Sequence, residues 1–284
     1  MSGSATAPSA VITPRRRQPS RPAGAAAGQR YADVVALTTR TVGAAPVPAD
    51  RSGSVELHLL GGFRLLVAGD LVHIGRTGQR LLALLACRGC PATRSQIAHL
   101  LWPDTTSDRA YANLRNGLYR LYRRGPGTVH ATTAYLQLGA GMGVDLDRST
   151  RLARQILGGE ESTDHAMLSE ALAANLTEDL LPDWDDEWLG DHQYRYRQLR
   201  LTALETLSSR LTAAGQHGAA VQAALTAVQA DRLRDSAHEA LIRACLAQGN
   251  WHEAFTHYTS YRRILRDELG LEPPASIGRL LSTA

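Results

Sequence analysis

Residues 107–124 are the part of the chain whose side chains are best suited to bind another molecule. At 100° per residue, four apolar positions fall on one side of a helix: Ala110, Leu114, Leu118 and Leu121. The rest of the helix carries mainly arginine and asparagine, with one small alanine: Arg109, Ala112, Asn113, Arg115, Asn116, Arg120, Arg123 and Arg124. Arginine and asparagine pair with guanine and adenine edges in the DNA major groove, and alanine lets the backbone approach closely. The pattern therefore predicts a base-reading helix, although a solvated surface helix would carry similar side chains.

Two shorter helices are predicted ahead of this segment. Residues 79–86 form a compact apolar stretch of helical length. Residues 93–102 begin with Thr93 and Gln96, whose spacing is that of a capping box, and Pro103 stops the helix. The base-reading helix is thus expected to be the third of three.

A hairpin is predicted behind the third helix. The run Gly125-Pro126-Gly127 breaks that helix, and residues 129–138 have the pattern of two short strands. The turn between them falls at Thr132, Thr133 and Ala134. Three helices followed by a small hairpin are the outline of a winged helix-turn-helix, in which the third helix enters the major groove and the hairpin touches the backbone.

A small antiparallel sheet is predicted ahead of the three helices. Alternating apolar residues indicate strands at 55–60, 63–67 and 71–74, separated by glycine-containing turns. Because this sheet precedes the three helices, the sequence predicts a winged helix of the type that begins with a β-sheet.

Charge is distributed unevenly along the 284 residues, which are enough for two domains. All 31 positive charges are arginine, and the absence of lysine excludes P-loop ATPases, pyridoxal enzymes and protein kinases. Residues 1–52 hold seven arginines against two acids, residues 53–146 ten against five, and residues 147–284 fourteen against twenty. The first two regions can bind a polyanion, whereas the third would be repelled by one.

Cysteine and histidine spacings predict neither a metal site nor a catalytic centre. Cys87 and Cys90 form a Cys-x-x-Cys pair, but zinc would need a second pair and a redox motif would need a strand–helix–strand unit. His252 and His257 are five apart, unlike the i, i+4 pair of zinc proteases. No nucleophile has a matching base. We therefore expect no enzyme activity, no cofactor and no metal, and three cysteines suit a reducing cytoplasm.

Residues 1–52 are rich in alanine, proline, serine and threonine, with an arginine run at 15–17. Such a composition buries too little apolar surface to fold, so we expect a disordered basic tail. A twin-arginine export signal is the alternative, but the stretch that follows is too weakly apolar.

Residues 147–284 are expected to be helical nearly throughout, and part of them repeats. Gly215 and Ala220 recur 34 residues later as Gly249 and Ala254, a period typical of tetratricopeptide helices. The aromatic residues that follow have helical spacing, and we interpret them as core: Trp251, Phe255, Tyr258 and Tyr261. Residues 270–274 end that helix, and a short terminal helix follows. The predicted fold class is therefore mainly α with a small N-terminal β-sheet: a winged helix-turn-helix domain followed by an all-α, tetratricopeptide-like domain.

Residues 53–146 resemble the OmpR-type DNA-binding domain of bacterial response regulators, in which a sheet precedes the helices. The matching positions are residues 81–85, 100–103, 118–121 and the hairpin pair Tyr135-Leu136. The resemblance implies that Arg120 reaches a base and that the turn of the wing meets backbone phosphate. We assign the phosphate contacts to Arg123, Arg124, Thr132 and Thr133, since such contacts position a protein without specifying sequence.

Residues 147–284 look like the bacterial transcriptional activator domain. The matching positions are residues 180–189, 195–207, Tyr258 and 265–273. An OmpR-type winged helix joined to this domain is the layout of the Streptomyces antibiotic regulatory proteins, which the chain resembles over residues 53–284. That resemblance implies a pathway-specific transcriptional activator, typically of a secondary-metabolite cluster, that binds direct promoter repeats as a homodimer and recruits RNA polymerase. It would act in the cytoplasm, at the nucleoid.

A second function stays open from the sequence. The chain could be a helical-repeat scaffold or adaptor whose winged helix mediates protein contacts only. A scaffold has no need for Asn116 and Arg120 on an exposed face, so the presence of both favours DNA binding.

Overall fold

The computed structural model describes residues 54–158 and 176–282, and the predicted tail at 1–52 lies outside the described residues. The strands within them are β1 (Val55–His58), β2 (Arg64–Val67), β3 (Asp70–Leu71), β4 (Ala92–Thr93), β5 (Val129–Ala131), β6 (Tyr135–Leu138) and β7 (Gly143–Val144). The helices are α1 (Arg76–Arg88), α2 (Arg94–Leu101), α3 (Ser107–Arg124), α4 (Asp145–Gly158), α5 (Glu187–Ala213), α6 (His217–Ala230), α7 (Asp235–Ala247), α8 (Trp251–Leu269) and α9 (Ala275–Leu280).

The first sheet has the strand order β3-β2-β1-β7. β1 and β2 are antiparallel, with Val55 opposite Val67, as the sequence predicts for a hairpin. β7 joins the other edge of β1 in parallel, with Glu56 opposite Gly143. β7 could not be predicted from the sequence, because a two-residue strand has no periodicity of its own.

β1 ends two residues earlier than predicted, at His58, and the reason is a carboxylate. The buried amide groups of Leu59 and Leu60 donate to the two oxygens of Asp145, over 2.9 and 3.1 Å, and Oδ1 of Asp145 also accepts from Leu146 N at 2.7 Å. Asp145 is the first residue of α4. Its side chain therefore ties the end of β1 to the start of the C-terminal helices.

The three predicted helices and the hairpin are present as α1, α2, α3 and β5–β6. The capping box of α2 is confirmed: Gln96 N donates to Thr93 Oγ1 at 3.2 Å, and Thr93 N donates to Gln96 Oε1 at 3.0 Å. β4, which directly precedes α2, pairs with β6 and completes a second sheet of order β4-β6-β5. The hairpin is thus fixed to the start of the helix-turn-helix.

The core of the winged helix extends into the C-terminal half of the chain. One apolar cluster contains the β1, β2 and α1–α3 leucines together with Leu180, Leu181, Leu189 and Tyr196. Trp184 belongs to it as well, stacked on Phe63 with 6.0 Å between ring centroids. Trp184, from the C-terminal half of the chain, therefore packs against the turn that joins β1 to β2.

A second apolar cluster holds α4 to α9 together, and the predicted repeat is visible in it. Gly215 precedes α6 and Gly249 precedes α8, both with positive φ, of 74° and 81°. The alanines five residues further on, Ala220 and Ala254, are fully buried. The 34-residue period therefore corresponds to two equivalent turns, each followed by a helix whose alanine packs against its neighbour.

The aromatic stripe of α8 is only partly core, which corrects our prediction. Tyr261 is fully buried and stacked on His238, and Tyr258 is half-buried. Trp251 and Phe255, however, are 46% and 60% exposed. α8 packs through Ala254, Tyr261 and Leu265, and at 100° per residue Trp251 and Phe255 lie about 60° and 100° away from Ala254. Helical spacing alone did not show where the packed sector ends.

Candidate nucleic-acid interface

α3 has a buried side and a cationic side, as predicted. Ala110, Leu114, Leu118 and Leu121 are all at most 5% exposed and pack into the winged-helix core. The first turn carries Asp108, which suits the positive end of the helix dipole. The remaining surface of the helix faces solvent.

The predicted base and phosphate contacts lie on that surface. The exposed ones are Arg109, Arg115, Asn116, Arg120, Arg123 and Arg124, while Ala112 and Asn113 are half-buried. In the described part of the chain, no salt bridge joins any of these arginines to an acid. A row of unneutralised guanidinium groups on one helix is a surface for a polyanion.

Three tyrosines share the exposed side, and the sequence analysis did not single them out. Tyr111, Tyr119 and Tyr122 are 39%, 64% and 43% exposed. A phenol can donate a hydrogen bond to a phosphate while its ring packs on a sugar. Their positions outside the apolar stripe could have indicated this from the sequence, because a large aromatic side chain there cannot reach the core of the domain.

The wing is held against the helix-turn-helix by Arg94. Its Nη2 and Nε donate to the backbone oxygen of Thr132 over 3.0 and 3.3 Å. The Thr132 hydroxyl is engaged within the turn, accepting from Tyr135 N at 2.9 Å and donating to Tyr135 O at 3.3 Å. Of the two predicted wing threonines, Thr133 therefore has the hydroxyl better placed for a phosphate, and Thr132 shapes the turn.

A cleft lies beside the C-terminal half of α3. It has a volume of about 870 Å³ and opens between α3 and the segment that leads into α1. We call it the α1 cleft. Its polar lining consists of His73, Arg76, Thr77, Tyr119, Arg120, Arg123 and Arg124. Three of the predicted DNA contacts, Arg120, Arg123 and Arg124, thus lie beside residues 73–78, for which the sequence predicted no role in binding.

Residues 54–158 and 176–282 contain no group of three histidine, cysteine or acidic side chains able to hold a metal, and no helix long and apolar enough to cross a membrane. Burial raises the pKa of Cys87 to about 12, so its thiol is protonated at neutral pH. Cys90 is exposed, and both cysteines are free.

Residues 144–283 match the family of the bacterial transcriptional activator domain. The helical part of this chain is therefore similar to that domain family over nearly its whole length. The match begins at the junction of β7 and α4, where Asp145 joins the two halves of the molecule.

Relatives and a solved structure extend the likeness to the winged helix. The regulatory protein AfsR of Streptomyces coelicolor is 29% identical over 248 residues, which is 83% of this chain and 24% of the relative. AfsR of Streptomyces griseus is 26% identical over 247 residues, with the same shares. The chain therefore spans about a quarter of the length of these relatives. The structure of Mycobacterium tuberculosis EmbR in complex with a low-affinity phosphopeptide has a TM-score of 0.63 at 19% identity, covering 81% of this chain and 65% of that one.

These findings confirm two predictions. The fold class, a winged helix followed by a helical activator domain, is that of the solved neighbour. The resemblance to the Streptomyces antibiotic regulatory proteins is confirmed by the domain match together with the AfsR relatives.

Proposed function

We propose that this protein is a sequence-specific DNA-binding activator of transcription, serving one pathway such as a secondary-metabolite cluster. It binds direct repeats at a promoter as a homodimer and recruits RNA polymerase. The observation that carries the proposal is the exposed arginine and asparagine side of α3, which projects from a helix-turn-helix and has no acidic partner in the described residues. The alternative of a protein scaffold offers no use for this surface.

Helix length supports a division of roles along α3. Its 18 residues span about 27 Å at 1.5 Å per residue, so the two ends of the helix cannot contact the same base pairs. Asn116 and Arg120 lie in the middle part and are assigned to bases. Arg123 and Arg124 lie in the last turn and are assigned to phosphates.

The shared core supports a fixed arrangement of the two halves. Leu180, Leu181 and Trp184 complete the packing of the winged helix, so a fragment that ends at residue 146 would expose part of its own core. The DNA-binding and activator parts therefore act as one body. Two protomers on direct repeats one helical turn apart, roughly 10–10.5 bp, would present their activator helices on one side of the duplex.

The test uses the full chain and the promoters beside its own gene. A footprint should show two adjacent repeats. Arg120→Ala should cost about 1–3 kcal/mol on that site and relax the preference at one base pair, whereas Arg124→Ala should weaken all sequences alike. Arg263→Ala, an exposed arginine on α8, is the matched control and should change neither.

Two outcomes decide between the functions. Inserting half a helical turn between the repeats should abolish paired occupancy, and a full turn should restore it. If the full chain binds no duplex even at low salt, the scaffold function stands instead.

A further inference from the structure

The α1 cleft brings four arginines together, of which Arg76 has an acidic partner, Asp186, while no described salt bridge involves the other three. Arg120 and Arg124 are one turn apart on α3, Arg123 lies between them, and Arg76 faces them from α1. None of the residues that line this cleft is acidic. An anion bound beside the guanidinium groups of Arg120, Arg123 and Arg124 would reduce the repulsion between them.

The start of α1 adds to the positive electrostatic potential in the cleft. Its first turn contains no acidic residue, and its N-cap is Gly75, which has no side chain to accept from the free amide groups. The positive end of the helix dipole therefore points into the cleft uncapped by a side chain. An anion with several acceptor oxygens is the ligand that such a helix end binds.

Close packing at Gly117 sets the width of the cleft. A Cβ on Gly117 would lie 2.7 Å from Cγ2 of Thr77, so α1 approaches α3 as nearly as a glycine allows. The next turn of α3 carries Arg120. The first turn of α1 and the arginines of α3 are thereby held on opposite walls of one space.

Arg76 is held at the rim by the activator domain. Its Nη2 donates to Oδ2 of Asp186 over 3.0 Å, and its guanidinium lies 3.7 Å from the centroid of the Trp184 ring. Arg80 approaches the other oxygen of the same carboxylate, Nε to Oδ1, at 2.5 Å. Arg76 lines the cleft and Arg80 does not, although both share Asp186.

We infer that the α1 cleft binds a phosphate of the DNA backbone beside the major groove, through Arg76 and the start of α1 opposite Arg123 and Arg124. The inference rests on the proposed function and adds a contact from outside the helix-turn-helix. DNA is the favoured source of the phosphate because three arginines that line the cleft, Arg120, Arg123 and Arg124, also belong to the exposed side of α3. A free phosphate has the same chemistry and is separated from DNA by the experiment.

The first test measures how duplex affinity depends on salt, with the full chain. Arg76→Ala should lower the slope of log K against log salt by about 1 and weaken binding about eightfold at 0.1 M salt, equally on specific and scrambled duplexes. Arg80→Ala loses the same Asp186 contact and should leave the slope unchanged. If the wild type binds DNA and the two variants have equal slopes, the inference is wrong while the proposed function stands.

The second test adds a charge without removing a contact. Gly75 has φ −68° and ψ 157°, and a Cβ there would meet nothing within 4 Å, so both Gly75→Asn and Gly75→Asp can cap α1. Both variants should melt no lower than the wild type, and only Gly75→Asp should lose DNA affinity. Equal affinity of the two variants would overturn the inference. So would a thermal shift by inorganic phosphate that Arg76→Ala removes while duplex binding stays at the wild-type level.

Discussion

Removing the Asp145 carboxylate should show how much the junction between the end of β1 and the start of α4 contributes to the free energy of unfolding. Asp145→Asn keeps the shape but turns one oxygen into an amide donor. In one orientation this donor faces the N–H of Leu60, and in the other it faces those of Leu59 and Leu146. At least one amide then loses its acceptor, and Leu59 and Leu60 are at most 1% exposed, so water cannot replace it.

The magnitude follows from the three hydrogen bonds. A bond to a charged acceptor contributes about 1.5–3 kcal/mol, and a buried donor left unpaired costs about 1–3 kcal/mol. Asp145→Asn should therefore lower the free energy of unfolding by about 2–3 kcal/mol. Asp145→Ala loses all three bonds and should lower it by about 4–6 kcal/mol, a large fraction of the roughly 5–15 kcal/mol that stabilises a typical domain.

Urea unfolding of the full chain, followed by circular dichroism and tryptophan fluorescence, measures both values. Asp147→Asn is the matched control: Asp147 lies in the same first turn of α4 but is exposed, and its dipole interaction is worth at most about 1 kcal/mol. If Asp145→Asn and Asp147→Asn unfold at the same urea concentration, the carboxylate does not hold the junction and the reasoning fails.

Three further predictions concern packing, pH and thiol reactivity. Gly117→Ala should destabilise the chain by about 1–2 kcal/mol because of Thr77, but should be neutral or stabilising in a Thr77→Ser background, and a double-mutant cycle in urea measures the difference. Burial lowers the pKa of His238 from 6.5 to about 4, so between these pH values the unfolded chain binds a proton that the folded chain does not. The free energy of unfolding should therefore fall by up to about 3 kcal/mol as the pH is lowered from 6.5 to 4. His238→Gln should make the free energy of unfolding less dependent on pH in this range. At pH 8 in the folded protein, a thiol reagent should label the exposed Cys90 faster than the half-buried Cys87, because burial raises the pKa of Cys87 to about 12. Equal labelling rates would contradict this difference.

Local patterns in the sequence were sufficient to predict most of the helices and to predict which side of α3 is buried. Thr93 and Gln96 predicted the cap of α2 because a capping box involves only residues three apart. The apolar stripe of α3 predicted its buried side, and hence the exposed position of Arg120, because helical geometry alone relates them. The repeat of Gly215 and Gly249 was visible for the same reason, since each turn needs a positive φ that favours glycine.

Only the tertiary structure decided which distant segments share a surface. The carboxylate of Asp145 ends β1 from 85 residues away, and Trp184 packs on Phe63, next to β2, and on Arg76 of α1. Trp251 and Phe255 stay exposed because the packed sector of α8 is narrower than its aromatic stripe. The α1 cleft depends on the approach of Thr77 to Gly117, forty residues further along the chain. Helical and strand periodicity indicate which side of a helix or strand is apolar. Which segment packs against that side depends on the packing of the whole molecule.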